Sequence, residues 1–384
     1  EQMYKHLEML NAAEYVATAK ALGIYCNNGG FNTDNYKVIT RTGMVNNHYL
    51  AFSGGTPQSN YRASFGVMDH NTIIKKMDYN VFVAKVDVTQ KAFNDRLTGE
   101  FGVFGSSFKN HDIFDTQMLF YSAACQNPTF PAGTDEHGNW LKNESATHVN
   151  PPRILLEEKN DSKDLNFDAH IKLSYDFNKN WRVSTFGSYL YGSTENGQFC
   201  PTLVWAQGNV YRGEFKKEEW LGNVSLDFNK EFGIHKVSAG VSSEYRKLRK
   251  TAFWVYAKGI PTNDFHYDNL GATAARPYGG TESTYEDQSL ASVMGSITYN
   301  LLDRYTLAVN ARGDGSSMVG DNNTWGFFPS VSFTWDMKKE SFLANIKPLS
   351  MLKLRTGLGQ AGNLGGISAY TTMNTVRQTG IVPV

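Results

Sequence analysis

The chain has no excess of either charge: 37 Lys and Arg balance 37 Asp and Glu over 384 residues. A nucleic-acid binder needs a basic surplus to neutralise phosphates, so that class is excluded. Cysteine is scarce. Cys26, Cys125 and Cys200 are odd in number and far apart, and no pair has disulfide-framework or metal-ligand spacing. Long hydrophobic runs are missing too. The longest, Ala252 to Ala257, is six residues, against the roughly 20 that a spanning helix needs. The mean hydropathy of −0.42 agrees. The chain opens Glu1-Gln2-Met3-Tyr4, without the basic and apolar regions of a signal peptide. That leaves a cytosolic protein or an internal piece of a longer one.

What is abundant is aromatic and small. There are 24 Phe, 20 Tyr, 7 Trp and 35 Gly, and an apolar fraction of 41% is too high for disorder. Met9, Ala12, Ala13, Val16 and Ala17 share one helical face, and Gly23 follows as a C-cap, so a helix is expected near 8–22. After it the period changes to two. From Leu165 to Phe177 the odd positions are Leu, Phe, Ala, Ile, Leu, Tyr and Phe, and the even positions are all polar. The same pattern predicts strands near 46–53, 59–69, 78–90, 95–107, 164–177, 181–193, 219–230, 234–250, 286–300, 304–315, 326–337 and 351–360.

Alternation alone also suits a soluble sandwich. Three features point instead to a membrane barrel. Many predicted strands reach ten or more residues, the length a tilted strand needs to cross a bilayer. Short turns near 54–58, 91–95, 178–180, 231–233 and 301–303 alternate with long connections at 108–163, 194–218 and 251–285. All the long ones fall on one side, as extracellular loops do. Aromatics flank the short turns, among them Tyr175, Phe177, Trp181, Phe228, Tyr299 and Tyr305, which suits an interfacial girdle. The expected fold is therefore all-β: an antiparallel transmembrane β-barrel, facing outer-membrane lipid, with one short N-terminal helix and long extracellular loops.

Motifs for chemistry are weak. Gly357-Leu358-Gly359-Gln360-Ala361-Gly362 matches G-x-G-x-x-G, but no helix opens after it to hold a pyrophosphate, so it reads as a strand end entering a loop. Asp135-Glu136-His137 reads as a solvated loop. Glu157-Glu158 and Glu218-Glu219 are adjacent carboxylates without evidence of a glycosidase pair. Asp314, Asp321 and Asn322 form an acidic loop cluster, a candidate Ca²⁺ site; no other metal or cofactor is expected. Trp140, Trp205, Trp254 and Tyr256 fall in the long connections and are the candidate ligand-binding aromatics, since aromatic faces stack on sugar rings. Arg62, Arg182, Arg304 and Arg312 share the polar phase of their strands and are expected to line the lumen or contact what fills it. No catalytic residue stands out, and an enzyme is not expected.

Arg312-Gly313-Asp314-Gly315-Ser316-Ser317, followed by Trp325-Gly326-Phe327-Phe328-Pro329-Ser330 and Trp335, resembles the motif block of SusC-like (SusC/RagA-type) TonB-dependent outer-membrane transporters of Bacteroidetes-type Gram-negative bacteria. Asp303-Arg304-Tyr305, Leu352-Lys353-Leu354-Arg355 with Gly362-Asn363, Ser53-Gly54-Gly55-Thr56 with Asn60-Tyr61, and Leu10-Asn11-Ala12 extend the resemblance over almost the whole chain. Met318-Val319 departs from the usual Arg-Phe. The resemblance implies a barrel of about 22 strands with a plugged lumen. It further implies energy from a TonB complex, a SusD-like lipoprotein lid, and oligosaccharide or peptide substrates. About 12 strands are visible here, an interior slice. On this reading 1–45 is an extracellular loop region, 46–360 the barrel strands and 361–384 an extracellular loop; the plug and the C-terminal strands are absent. The competing expectations are a soluble secreted β-protein that binds glycans and a β-rich hydrolase.

Overall fold

The structure is a computed structural model that describes residues 9–137, 141, 150–202, 204, 207–277, 279–320 and 324–372. Twelve strands form one antiparallel sheet in strict sequence order. They are β1 Met44–Gly55, β2 Ser59–Asn71, β3 Asp78–Ala92, β4 Leu97–Asp112, β5 Lys159–Asp176, β6 Trp181–Cys200, β7 Asn209–Phe232, β8 His235–Lys258, β9 Thr281–Leu301, β10 Tyr305–Ser316, β11 Trp325–Asp336 and β12 Lys353–Gly359. Each predicted strand is present. Among the described residues no helix is long and apolar enough to cross a membrane.

Register turns the period-two pattern into two continuous faces. One row runs Trp181, Phe228, Ala239, Ile297, Val309, Val331, Leu358 through mutually paired residues of β6 to β12. The row one residue away runs Asp176, Arg182, Asp227, Gly240, Ser296, Asn310, Ser330, Gly359. A slip of one residue would exchange the rows, so burial of the apolar face pins the register. That face is bare in the isolated chain: Ile297 is 57% exposed and Leu358 80%.

Aromatic pairs mark both ends of the apolar band. Trp181 packs on Phe228 with ring centroids 4.7 Å apart, and eight residues along both strands Tyr189 packs on Trp220 at 5.1 Å. At about 3.4 Å per residue the band is roughly 27 Å long along the strand, which at a barrel tilt of about 40° covers roughly 21 Å of height, comparable with the apolar belt of about 25 Å in outer-membrane barrels. Beyond Trp220 the same face turns charged: Glu218, Arg249 and Asp287 stand in register and pair with one another.

β7 and β8 are 24 residues each, far longer than a crossing requires. Their upper halves are what the sequence offered as loops at 194–218 and 251–285. There the connection 259–280 folds back over the apolar-face phase, so Phe199, Val210 and Ala257 are buried beneath Ile260, Tyr267 and Leu270. Tyr267 lies directly over Gly197, where a Cβ would come within 2.6 Å of the ring. With apolar residues needed on both faces, the alternation disappears, as the run Ala252 to Ala257 shows.

There are also more helices than the one expected. α1 spans Ala12–Ala21, with a capping box between Asn11 and Glu14 and a reversal at Gly23 (φ +66°). Its packed side is Ala12, Tyr15, Val16 and Ala19; Ala13 and Ala17 face solvent, so the face is rotated from the one expected. α2 Asn35–Ile39, α3 Thr116–Cys125 and α4 Pro151–Glu157 share a small core of Ile39, Leu119, Ala123, Ile154 and Leu155 on the long-connection side. The fifth, α5 Ser341–Ala344, sits in the connection 337–352. That connection is on the short-turn side and is long, against the expected pattern.

The faces make a direct contrast. Leu173 stands between Gly99 and Thr185 on the apolar face, while Lys172 bonds Glu100 at 3.2 Å on the other. In the full-length protein, Leu173→Arg should cost about 2–4 kcal/mol at mid-membrane and abolish heat-modifiable gel migration. Lys172→Leu should leave migration intact. Equal membrane yields of the two variants would reject the assignment of faces.

Candidate functional site

β7 to β11, together with the coil 360–367 that follows β12, line a groove of about 950 Å³. Arg312 and Asp314 sit at its centre, two residues apart on one strand and therefore on one face. Arg312 Nε donates to both Asp314 oxygens, at 2.7 and 2.8 Å, and Nη2 donates to Ser292 Oγ at 3.0 Å. The pair satisfies itself, so it braces the wall and is not a free cation. Arg182 is likewise held by Asp176 at 2.7 and 3.0 Å, Arg62 reaches Tyr49 OH at 3.2 Å, and Arg304 pairs with Glu340 at 3.2 Å at the short-turn rim.

The rest of the motif block is structural here. Ser317 exchanges two hydrogen bonds with the Ser289 backbone, at 2.8 and 3.0 Å, which clamps the end of β10 to β9. Ser316 is buried and its Oγ accepts from Met318 N–H at 3.2 Å. Gly315 lies under the Trp325 indole, 2.7 Å from where a Cβ would stand. The Phe328 ring fills the space of missing Cβ atoms at Gly326 and Gly362, at 2.6 and 2.5 Å, which gives the final glycine of the G-x-G-x-x-G string a packing role. That string is the end of β12 and the coil after it. Pro329 accepts from Gln360 N–H at 3.0 Å on the side where β12 pairing ends, so its missing N–H interrupts no bond to β10. Trp335 Nε1 donates to Glu340 Oε1 at 3.0 Å at the rim.

Of the four candidate aromatics, Trp140 and Trp205 lie outside the described residues, as do Asp321 and Asn322 of the candidate Ca²⁺ cluster. Trp254 and Tyr256 correct the expectation: they belong to β8, on the polar-face phase of its upper half, and not to a loop. Trp254 stacks on Phe215 with centroids 6.2 Å apart and planes 15° apart. Tyr256 is the register partner of Tyr211, with Lys258 Nζ 5.7 Å above its ring. Sequence reasoning missed Phe215 and Tyr211; their spacing around Gly213 was the available signal. Glu218 and Glu219 fall on opposite faces, to Arg249 and Arg246, so they form no carboxylate pair. The Asp135 side chain accepts from His137 N–H at 2.9 Å, a local turn.

One titratable pair went unnoticed. Glu158, between α4 and β5, is buried beside Cys200 at the end of β6; the thiol donates to Oε1 at 3.3 Å. Oε2 is buried without a hydrogen-bond partner among the described residues. Burial, with Asp115 adding repulsion, raises the Glu158 carboxyl to about 7. Burial and the same carboxylate push the Cys200 thiol up, so it is inert as a nucleophile.

The profile of the family described as "TonB dependent receptor-like, beta-barrel" matches residues 107–380. The chain belongs to this family. It is 28% identical to TonB-dependent receptor P3 of Formosa agariphila over 96% of this chain and 38% of that one. It is also 28% identical to TonB-dependent receptor SusC of Bacteroides thetaiotaomicron over 97% of this chain and 39% of that one. This receptor barrel thus spans about two fifths of the length of those relatives. Its fold is that of the RagAB peptide transporter, with a TM-score of 0.72 at 16% identity over 88% of this chain and 39% of that one. The polar face is accordingly the lumen wall and the apolar face the lipid side.

The Glu158 pair sits above the membrane, in the cap of α3 and α4. A carboxyl raised from 4.5 to about 7 keeps in the fold a proton that the unfolded chain releases. Cap stability is then highest below about 4.5 and falls as pH rises through the interval to about 7. Hydrogen exchange across 150–158, corrected for intrinsic rates, should be faster at about pH 8 than at about pH 5. Glu158→Gln should remove the difference.

Proposed function

We propose that this receptor barrel forms part of the wall of an outer-membrane importer of Gram-negative, Bacteroidetes-type bacteria that takes up oligosaccharides or glycan fragments. On this reading a TonB complex supplies the energy and a SusD-like lipoprotein is the partner at the outer face. One observation carries the choice of cargo: the aromatic wall of Phe215, Trp254, Tyr211 and Tyr256, on the lumen phase above the membrane band. Flat aromatic faces at a channel mouth suit pyranose rings, which pack their C–H faces against them. The names of the curated relatives support TonB-dependent uptake as the class. The RagAB title names peptide transport, which makes peptides the competing cargo. The reading is transport, as the names of the curated relatives favour; the adjacent carboxylates Glu218 and Glu219 diverge to opposite faces and offer no acid-base pair.

The bare apolar face argues against the soluble glycan-binding alternative. A contiguous patch of that extent on a soluble protein would drive association.

In the full-length protein, Trp254→Ala should weaken binding of an oligosaccharide mixture about tenfold by calorimetry, equivalent to about 1.4 kcal/mol. Thermal stability in detergent should be unchanged. Unaltered glycan binding, together with peptide binding that falls in the same variant, would reassign the cargo.

A further inference from the structure

The connection 337–352 is anomalous. It lies on the short-turn side, where the turns 56–58, 93–96, 177–180, 233–234 and 302–304 are all brief, yet it is the one that builds structure of its own. A short 3-10 turn, Met337–Lys339, leads into α5. Lys338 Nζ donates to the carbonyls of Leu343 and Ile346, at 3.0 and 2.9 Å, and ties the segment into a knot.

Glu340 fixes where the knot sits. Its carboxylate accepts from Tyr305 OH at 2.6 Å, from Trp335 Nε1 at 3.0 Å and from Arg304 at 3.2 Å. Tyr305 and Trp335 are register partners on the apolar phase, with rings 6.2 Å apart and nearly parallel, so they belong to the lower aromatic girdle. Their polar tips point to the rim, and Glu340 is bound to those tips. Three donors holding one largely buried carboxylate keep it ionised and keep the backbone of 340 against the girdle.

Beyond Glu340 the segment turns apolar and uncovered. Phe342 is 65% exposed, Ile346 42% and Met351 65%. Leu352 then leads into Leu354, the register partner of Trp335 and part of the lipid face. Charge on the same segment is mainly basic. Within 337–352, Lys338, Lys339 and Lys347 outnumber the one acid, Glu340, which Arg304 already neutralises, while the flanking Asp336 pairs with Lys339 at 3.7 Å and with Lys353 at 3.4 Å. Lys347 is exposed and has no ion pair among the described residues.

We propose that the connection 337–352 is a membrane-interface anchor: Phe342, Ile346 and Met351 dip into the periplasmic leaflet, and Lys347 meets anionic phospholipid headgroups. The occupant is lipid because the exposed residues continue the lipid face through Leu354 and Trp335, and because their charge complements an anionic surface. The knot adds a second layer of anchorage below the girdle at β11 and β12. It sets the depth of β11 and β12 in the bilayer. The proposal rests on the reading of the sheet as a membrane barrel.

Spin labels test it in the full-length protein, reconstituted into vesicles of phosphatidylethanolamine and phosphatidylglycerol. One label goes at Phe342→Cys and one at Val241→Cys, on the lipid face two residues above the lower aromatic row, with Cys26, Cys125 and Cys200 replaced by serine. At both sites collisions with oxygen should exceed those with a nickel chelate several-fold. Chelate excess at 342 with oxygen excess at 241 would overturn the anchor and leave the barrel standing. Low collisions with both reagents at 342 would also overturn it, in favour of cover by protein. Chelate excess at 241 would instead sink the membrane reading itself. In vesicles of phosphatidylcholine alone the 342 label should become shallower, and Lys347→Glu should abolish that dependence on anionic lipid. A depth indifferent to phosphatidylglycerol would remove the headgroup contact from the proposal.

Discussion

Hydrocarbon offers the backbone no hydrogen-bond partner, and the architecture derives from that single constraint. Every N–H and C=O within the band must be paired inside the sheet, so each strand pairs with its neighbours in chain order and no crossover occurs. The same constraint fixes side-chain phase. Residues of one parity meet lipid and must be apolar; residues of the other meet the lumen and carry the polar groups. Rows such as Trp181 to Leu358 and Asp176 to Gly359 lie one residue apart and have opposite chemistry across the sheet.

Outside the band the constraint lapses, and the chain behaves differently at its two ends. On the long-connection side, β6, β7 and β8 continue past the upper aromatics, and the loop 259–280 folds back to cover their outer face. Strand there serves as scaffold for the Phe215 and Trp254 wall, and its outer surface is buried like a soluble core. On the short-turn side, the knot at 337–352 is tied to the girdle through Glu340. In both places a loop gains order by bonding to aromatic residues or packing on the sheet, Tyr267 over Gly197 above and Glu340 on Trp335 below.

The motif block that carried the resemblance is explained by packing. Arg312 and Asp314 neutralise each other in a half-buried wall, Ser317 clamps two strands, and Phe328 fits only because Gly326 and Gly362 lack side chains. These are requirements of strand-to-strand fit at one stretch of the sheet. They identify the fold and say little about cargo.

The amino-acid order alone determined the strand count and the parity of the strands with clear alternation, such as β5 and β11, because lipid imposes a period of two on every crossing; it missed the long connection 337–352 on the short-turn side. It could not place the ends of β6, β7 and β8, since a covering loop makes both faces apolar there and erases the period. For the same reason Trp254 and Tyr256 read as loop aromatics. Only tertiary structure brought Phe215 to Trp254, Glu158 to Cys200 across 42 residues, and Glu340 to Tyr305 across 35. Those contacts depend on which strands are neighbours and on where loops fold back, which the period-two pattern of a single strand does not encode.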